Sequence, residues 1–491
     1  MKFIKVTLIC IASLLLLQCG KDVAVSTNVE SNYSTAEWYN KIPAVARITL
    51  KKHTDVKEIS IDSSTLEQEL DQLYKQGYRA IEIFATPDGG NSYGGLDAQN
   101  RYMIDPEVGT MEDFKRVVRQ AHRKRLAVIA FDNLGYSAID APHFLKACDD
   151  MKNGIDSKET KWFWWSKTNN GPPPQQPDEY YLGGSKRWEK WVWSERAQHY
   201  YWSKWPGVDS TGKSCDLPQY YWSKEWQDEV KNIVHFWMRT GIDGFVVDAV
   251  NWYVGYDWKI GKECITDIVR SYGDKFIQPE GAGGFHEDPV AWITEGGWNC
   301  VQDYGLGIWW EDETRVLENA IHTRNPSKVE DALRDYHDRV VEAGGVLYNG
   351  ADSQLKDKSK KRFYKACNIA FGNLHCDFLT DEDSMNTDEE LAWLLSLKEQ
   401  YPALQQLSTR RKIVTSDDTR FYAFVKTDKE KTQRMLVVLN FQPDRQKIKI
   451  DLSGISFASL TDINTREKIA YAKAADITCE GLGYRFFSID N

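Results

Sequence analysis

At 491 residues the chain has room for two or three domains, and 42% hydrophobic with 27% charged residues is a globular balance that excludes a disordered chain. A net charge of −10 leaves no basic field for a nucleic-acid backbone, which excludes that class of partner. Aromatic residues are the outlier, with 19 Trp, 24 Tyr and 19 Phe.

In chain order, Lys2 and Lys5 precede a short apolar run from Val6 to Leu17. The run is too short to span a bilayer comfortably and has the form of a secretory signal. It ends at Leu-Leu-Gln-Cys, which resembles a bacterial lipobox in which Cys19 is lipidated, although Gln18 departs from the usual small residue. Residues 1–19 are therefore expected to be a lipoprotein signal and 20–36 a polar tether. The resemblance implies a place in the bacterial cell envelope, periplasmic or on the outer-membrane surface, with the lipid as the sole membrane contact. Cys10 and Cys19 leave seven of the nine Cys, without C-x-x-C spacing, so buried single thiols are expected rather than a zinc site or disulfide framework.

The body alternates two periods. Apolar runs at 44–50, 79–84, 126–131, 244–248, 276–279, 298–303, 345–349 and 375–379 read as strands. Stretches such as STLEQELDQLYKQG, TMEDFKRVVRQAHRKR, KEWQDEVKNIVHFWMRTG and PSKVEDALRDYHDRVVEAG space their apolar residues three and four apart, as helices do. Eight strands alternating with helices predict an α/β fold, a (β/α)8 TIM barrel over 37–405. About 110 residues separate the third strand from the fourth, so a loop-rich B subdomain is expected at about 133–222. Thirteen Trp lie between Trp162 and Trp258. Aromatic faces stack on the C–H faces of sugars, so these Trp read either as a carbohydrate-binding roof or as a Trp-rich core. From 406 to 491 alternating strands without long helices predict an all-β sandwich.

Barrel chemistry sits at the C-terminal strand ends. Asp132, Asp248, Glu280 and Asp352 follow strands three, four, five and seven. Converging carboxylates are what glycoside hydrolysis needs, one to attack the anomeric carbon and one, protonated, to serve the leaving oxygen. Taken singly, each acid also reads as a helix N-cap in a strand-to-helix loop.

At these residues the chain resembles the α-amylase family, glycoside hydrolase family 13, on its oligo-1,6-glucosidase and α-glucosidase branch. The resemblance runs through GLDAQNRYMIDPEVGTMEDFKRVVRQAHRKRLAVIAFD, WFWWSK, GGSKRWEK, HYYWSKWPGVD and CDLPQYYWSKEWQDEVKNIVHFWMRTGIDGFVVDAV, in order, and covers roughly 38–490. It implies Asp248 as nucleophile, Glu280 in QPEG as acid/base, with Glu295 in TEGG as a competitor that the spacing disfavours, and Asp352 in YNGADS as transition-state stabiliser. It also implies Asp97 near the glycone pocket and Asp132 as the third-strand aspartate.

The departures are equally specific. The family's stacking tyrosine is Leu96, its third-strand asparagine and histidine are Tyr136 and Ser137, its arginine two residues before the nucleophile is Val246, and its histidine before the stabilising aspartate is Ala351. A remodelled glycone pocket follows, with Tyr136, Asn251, Trp252 and Asn349 as candidate substrate contacts. No cofactor and no required metal are expected, because Tyr136 replaces the asparagine that many amylases offer to calcium. Two functional classes stand: an extracytoplasmic retaining α-glycosidase on oligo- or polysaccharide α-glucosides or a related modified sugar, and a non-catalytic, lipid-anchored glycan-binding protein.

Overall fold

The computed structural model describes residues 37–50, 57–89, 95–171, 173, 189–208, 214–250, 258–282, 287–307, 315–350, 355, 357–379 and 388–490. Cys19 and the tether, Asn251, Trp252, Ala351 and Asp352 lie outside the described residues.

Eight parallel strands form the expected sheet: β1 Ala44–Ile48, β2 Ala80–Ile83, β3 Ala127–Asp132, β4 Gly244–Val247, β5 Phe276–Pro279, β6 Cys300–Gln302, β7 Val346–Gly350 and β8 Leu374–Phe378. Their order is β5-β4-β3-β2-β1-β8-β7-β6. The ends of the row meet through Asn299, which accepts from Ile277 N at 2.9 Å and donates to Lys275 O at 2.7 Å, so the sheet curls into a near-barrel. The strands read as apolar runs because both of their faces are buried. Ala44, Ala46, Ile48, Ile81, Ile83, Val128 and Ala130 pack outward among the helices. Their alternates Val45, Ala80, Ala127, Ile129, Phe131, Val246, Phe276, Cys300, Val346, Tyr348, Leu374 and Cys376 fill the barrel interior.

The helices start where capping residues allow. Asp62 caps Ser63–Lys75, Thr110 forms a capping box with Asp113 ahead of Met111–Arg123, and Ser223 caps Lys224–Met238. Lys358–Phe371 ends at Gly372, whose φ of 91° closes the helix in the left-handed conformation. The stretch expected to be one helix near 326–344 is Val329–Ala332, a π-turn Leu333–His337 and Asp338–Glu342.

The inserted subdomain carries regular elements among its described residues. It holds the helix Pro142–Lys152 and an antiparallel sheet of Trp165–Ser166, Glu189–Ser194, His199–Val208 and Ser214–Pro218. A tight reversal, with Gln198 at φ 53°, joins the two long strands, and Trp191 pairs opposite Trp202 with ring centroids 5.1 Å apart. Trp162, Trp202, Trp222, Trp226 and Trp237 are buried, so for these five the core reading holds. Among the described residues there, Trp193, 40% exposed, is the large aromatic left to solvent.

The C-terminal region is a six-stranded sheet, containing Thr409–Ile413, Phe421–Thr427, Arg434–Asn440 and Gly483–Asp490, facing the pair Gln446–Asp451 and Ala474–Cys479 across its own core. It is fixed to the barrel by Arg410, which binds Glu330 and Asp338, and by Lys426 Nζ, which donates to Phe371 O at 2.8 Å. Cys148, Cys264, Cys300, Cys367, Cys376 and Cys479 are free and buried, as the spacing implied. Among the described residues no helix is long and apolar enough to cross a membrane.

Candidate active site

The ends of β3, β4 and β5 are stitched together by backbone. Asp248 N donates to Asp132 O at 2.9 Å, Glu280 N to Val247 O at 2.9 Å, and Val250 N to Glu280 O at 3.1 Å. Three of the four expected acids thus converge at one end of the barrel. Asp352, the fourth, lies outside the described residues.

Asp248 and Glu280 share a side-chain hydrogen bond, which two carboxyl groups can form only with a proton between them. Burial, then the charge of Asp248 and that bond, push the Glu280 carboxyl well above its ordinary range. Ala249 adopts φ 47°, a strained value for a residue with a Cβ, and its N–H faces Glu280 Oε2 at 3.4 Å. Gly281, at φ 80°, donates its N–H to Gln302 Oε1 at 2.8 Å and so ties the turn after Glu280 to β6. Asn133 Nδ2 donates to Asp248 Oδ2, and Asn133 Oδ1 accepts from Gly135 N at 2.7 Å.

Asp132 is paired with the guanidinium of Arg101, both buried. Burial lifts its carboxyl to about 6 against the pull of Arg101, with Asp248 adding to the rise. Arg101 also donates to Tyr136 O at 2.8 Å. Tyr136 is buried and bridges to Gln219, and Asp97 is buried beside the short strand Ala98–Asn100. Asn349 is not brought to the mouth. Tyr348 occupies the interior, so strand alternation turns Asn349 outward, where it donates to Asn368 Oδ1 of the helix Lys358–Phe371 at 3.1 Å. Glu295 is exposed at the end of the helix Pro289–Thr294, before β6, at the opposite end of the barrel from Glu280.

The substitutions also have definite places. Val246 lies in the interior cluster, and Leu96 packs on that cluster with Phe84. Ser137 Oγ meets His143 Nε2 at 2.8 Å, and the same nitrogen meets Tyr220 OH at 2.6 Å. Burial and then Arg101 depress this imidazole to about 3, so it stays neutral.

Sequence reasoning missed Arg47, Glu82, Arg101, Asn133 and His143. The available signal for the first two was a single charge inside each apolar run AVARI and AIEI. Among the described residues no group of three His, Cys, Asp or Glu is arranged to hold a metal ion.

Comparison with known proteins agrees with this geometry. Residues 62–282 match the family described as alpha amylase, catalytic domain. The trehalose-6-phosphate hydrolase of Bacillus subtilis is 32% identical over 169 residues, 34% of this chain and 27% of the relative. Alpha-amylase 3 of Dictyoglomus thermophilum is 29% identical over 164 residues, 32% of this chain and 26% of the relative. The matched part spans about a quarter of the length of these curated relatives. Among solved structures, the alpha-amylase from H. orenii superposes with a TM-score of 0.68 at 14% identity over 91% of this chain and 99% of its own. The trehalose-6-phosphate hydrolase of Bacillus licheniformis does so with 0.67 at 14% identity over 92% of this chain and 100% of its own. These likenesses establish the fold. Residues 62–282, which span β2 to β5 and carry the acids at their ends, are thus similar to an alpha-amylase catalytic domain.

Proposed function

We propose that the protein is a retaining α-glycosidase of the cell envelope. Asp248 attacks the anomeric carbon while Glu280 gives its proton to the glycosidic oxygen. Glu280 then takes a proton from the water that releases the sugar from Asp248, and Asp352 steadies the charged transition state. The observation that carries this reading is the buried, hydrogen-bonded pair of Asp248 and Glu280, in which burial and the neighbouring charge keep Glu280 protonated. A protonated acid held beside a second carboxyl is the starting state such a reaction needs.

The substrate is an α-glycoside whose glycone sugar differs from the glucose of maltooligosaccharides. Val246, Ser137 and Leu96 offer no charge-assisted hydrogen bond to sugar hydroxyls, and each such bond is worth roughly 1.5–3 kcal/mol. Kinetics on maltotriose, isomaltotriose and a panel of modified or non-glucose α-glycosides test this. Rapid turnover of maltotriose refutes the altered pocket. Tight binding with no turnover across the panel replaces the hydrolase by a glycan-binding protein. Attachment through a lipid on Cys19 is tested by Cys19→Ser, which moves the protein from the membrane to the soluble fraction.

A further inference from the structure

Strand alternation directs Arg47 of β1 inward with Val45, and its side chain is 4% exposed. A buried cation is costly unless it is paired. Arg47 has an ion pair to Glu82, its register partner on β2, and Glu82 also accepts from Tyr348 OH on β7. Three phenyl rings surround the guanidinium, with centroids at 4.0 Å for Phe378, 4.8 Å for Phe131 and 5.5 Å for Phe84. Phe131 is the register partner of Val246, two residues before Asp248, so the guanidinium lies against the patch of interior directly below the nucleophile.

A purely structural pair is a poor explanation. Replacing a buried ion pair by apolar residues of similar size is often neutral or stabilising, and this one stands among Phe and Val. What the pair adds is an unequal field at the carboxyls above it. At Glu280 the pull of Arg47 exceeds the push of Glu82, while Asp132 is held by its own Arg101 and Asp248 by Asn133.

We infer that Arg47 is the positioning residue that sets the charge of the Asp248–Glu280 pair, supplying from β1 the cation that Val246 does not supply from β4. With the guanidinium in place, the raised Glu280 carboxyl is drawn back down, so its proton is freer to pass to the glycosidic oxygen. Without it, Glu280 holds its proton to higher pH.

The inference rests on the hydrolase reading for its meaning in catalysis, but its test does not need a substrate. The carboxyl band of Glu280 is followed by infrared titration, taken as the difference from Glu280→Gln. Arg47→Met combined with Glu82→Gln, which removes both charges, raises the apparent pKa by roughly half to one unit. Glu82→Gln alone, which leaves the cation unbalanced, lowers it. Adding Val246→Arg to the double variant brings it back down. A merely structural pair gives no such opposed signs. Should the double variant not fold, Glu82→Gln alone carries the test, a lowered titration supporting the assignment and a raised or unmoved one overturning it. An unmoved titration in folded variants overturns the assignment whatever the turnover. The opposed shifts in a protein that cleaves none of the glycosides leave the assignment standing and remove the hydrolase reading.

Discussion

Lys426 offers a measurable link between protonation and folding. It lies fully buried between the barrel and the C-terminal sheet, donating to Phe371 O, while Lys398 donates to Asn373 O nearby. Burial brings the Lys426 ammonium down to about 7, with Asp338 opposing and Arg410 adding to the fall. In the unfolded chain the group titrates near 10.4. Between these values the unfolded state binds the proton and the folded state does not, so stability rises with pH across that window and is lowest below 7. One group shifted this far contributes about 2 kcal/mol of the rise between pH 7 and 9. Buried thiols and phenols titrate in overlapping ranges, so the quantity to follow is the difference between the native chain and Lys426→Met in urea unfolding at several pH values. That difference should climb by about 2 kcal/mol from pH 7 to 9. A difference flat to within roughly 0.5 kcal/mol would refute the reasoning, because it would mean that Lys426 stays charged in the fold.

Three further outcomes follow from the site. Asp248→Asn and Glu280→Gln should each lower turnover on any active glycoside by roughly three orders of magnitude or more with binding largely kept, as read by kinetics beside calorimetry. Asn133→Ala removes a donor to Asp248 worth roughly 1.5–3 kcal/mol, so kcat/KM should fall by about one to two orders of magnitude, as read by steady-state kinetics. Arg101→Met strands a buried Asp132 and should cost about 3–5 kcal/mol in denaturant unfolding, most of it recovered when Asp132→Asn is added.

The barrel was legible because its strands are short apolar runs and its helices carry caps and a 3.6-residue period. Asp248 and Glu280 were legible because each directly follows such a run. The inserted sheet was hidden by its own aromatics. In HYYWSKW both faces carry large rings, and in KWVWS the two Trp of one face stand against Val192 on the other, so the period-two contrast that marks a half-buried strand is blurred. The orientation of Asn349 was lost for a related reason. Both faces of a barrel strand are buried, one by helices and one by the interior, so hydropathy does not tell which residues face the site. Arg47 and Glu82 were overlooked inside apolar runs because their partner is a neighbouring strand, and register is not written in either strand alone.

The sealed thiols turn the chain into its own reporter of breathing. Burial raises the Cys148 and Cys264 thiols to about 11 and Cys479 to about 12, and lifts Cys300 and Cys367 well above their ordinary range. The thiolate is the reactive form, so an alkylating reagent meets these sulfurs only when the structure around them opens. Cys300 and Cys376 stand inside the barrel, Cys148 on the helix of the inserted subdomain and Cys479 in the C-terminal core. Alkylation timed residue by residue therefore gives a regional clock of opening, with no label introduced and no side chain replaced.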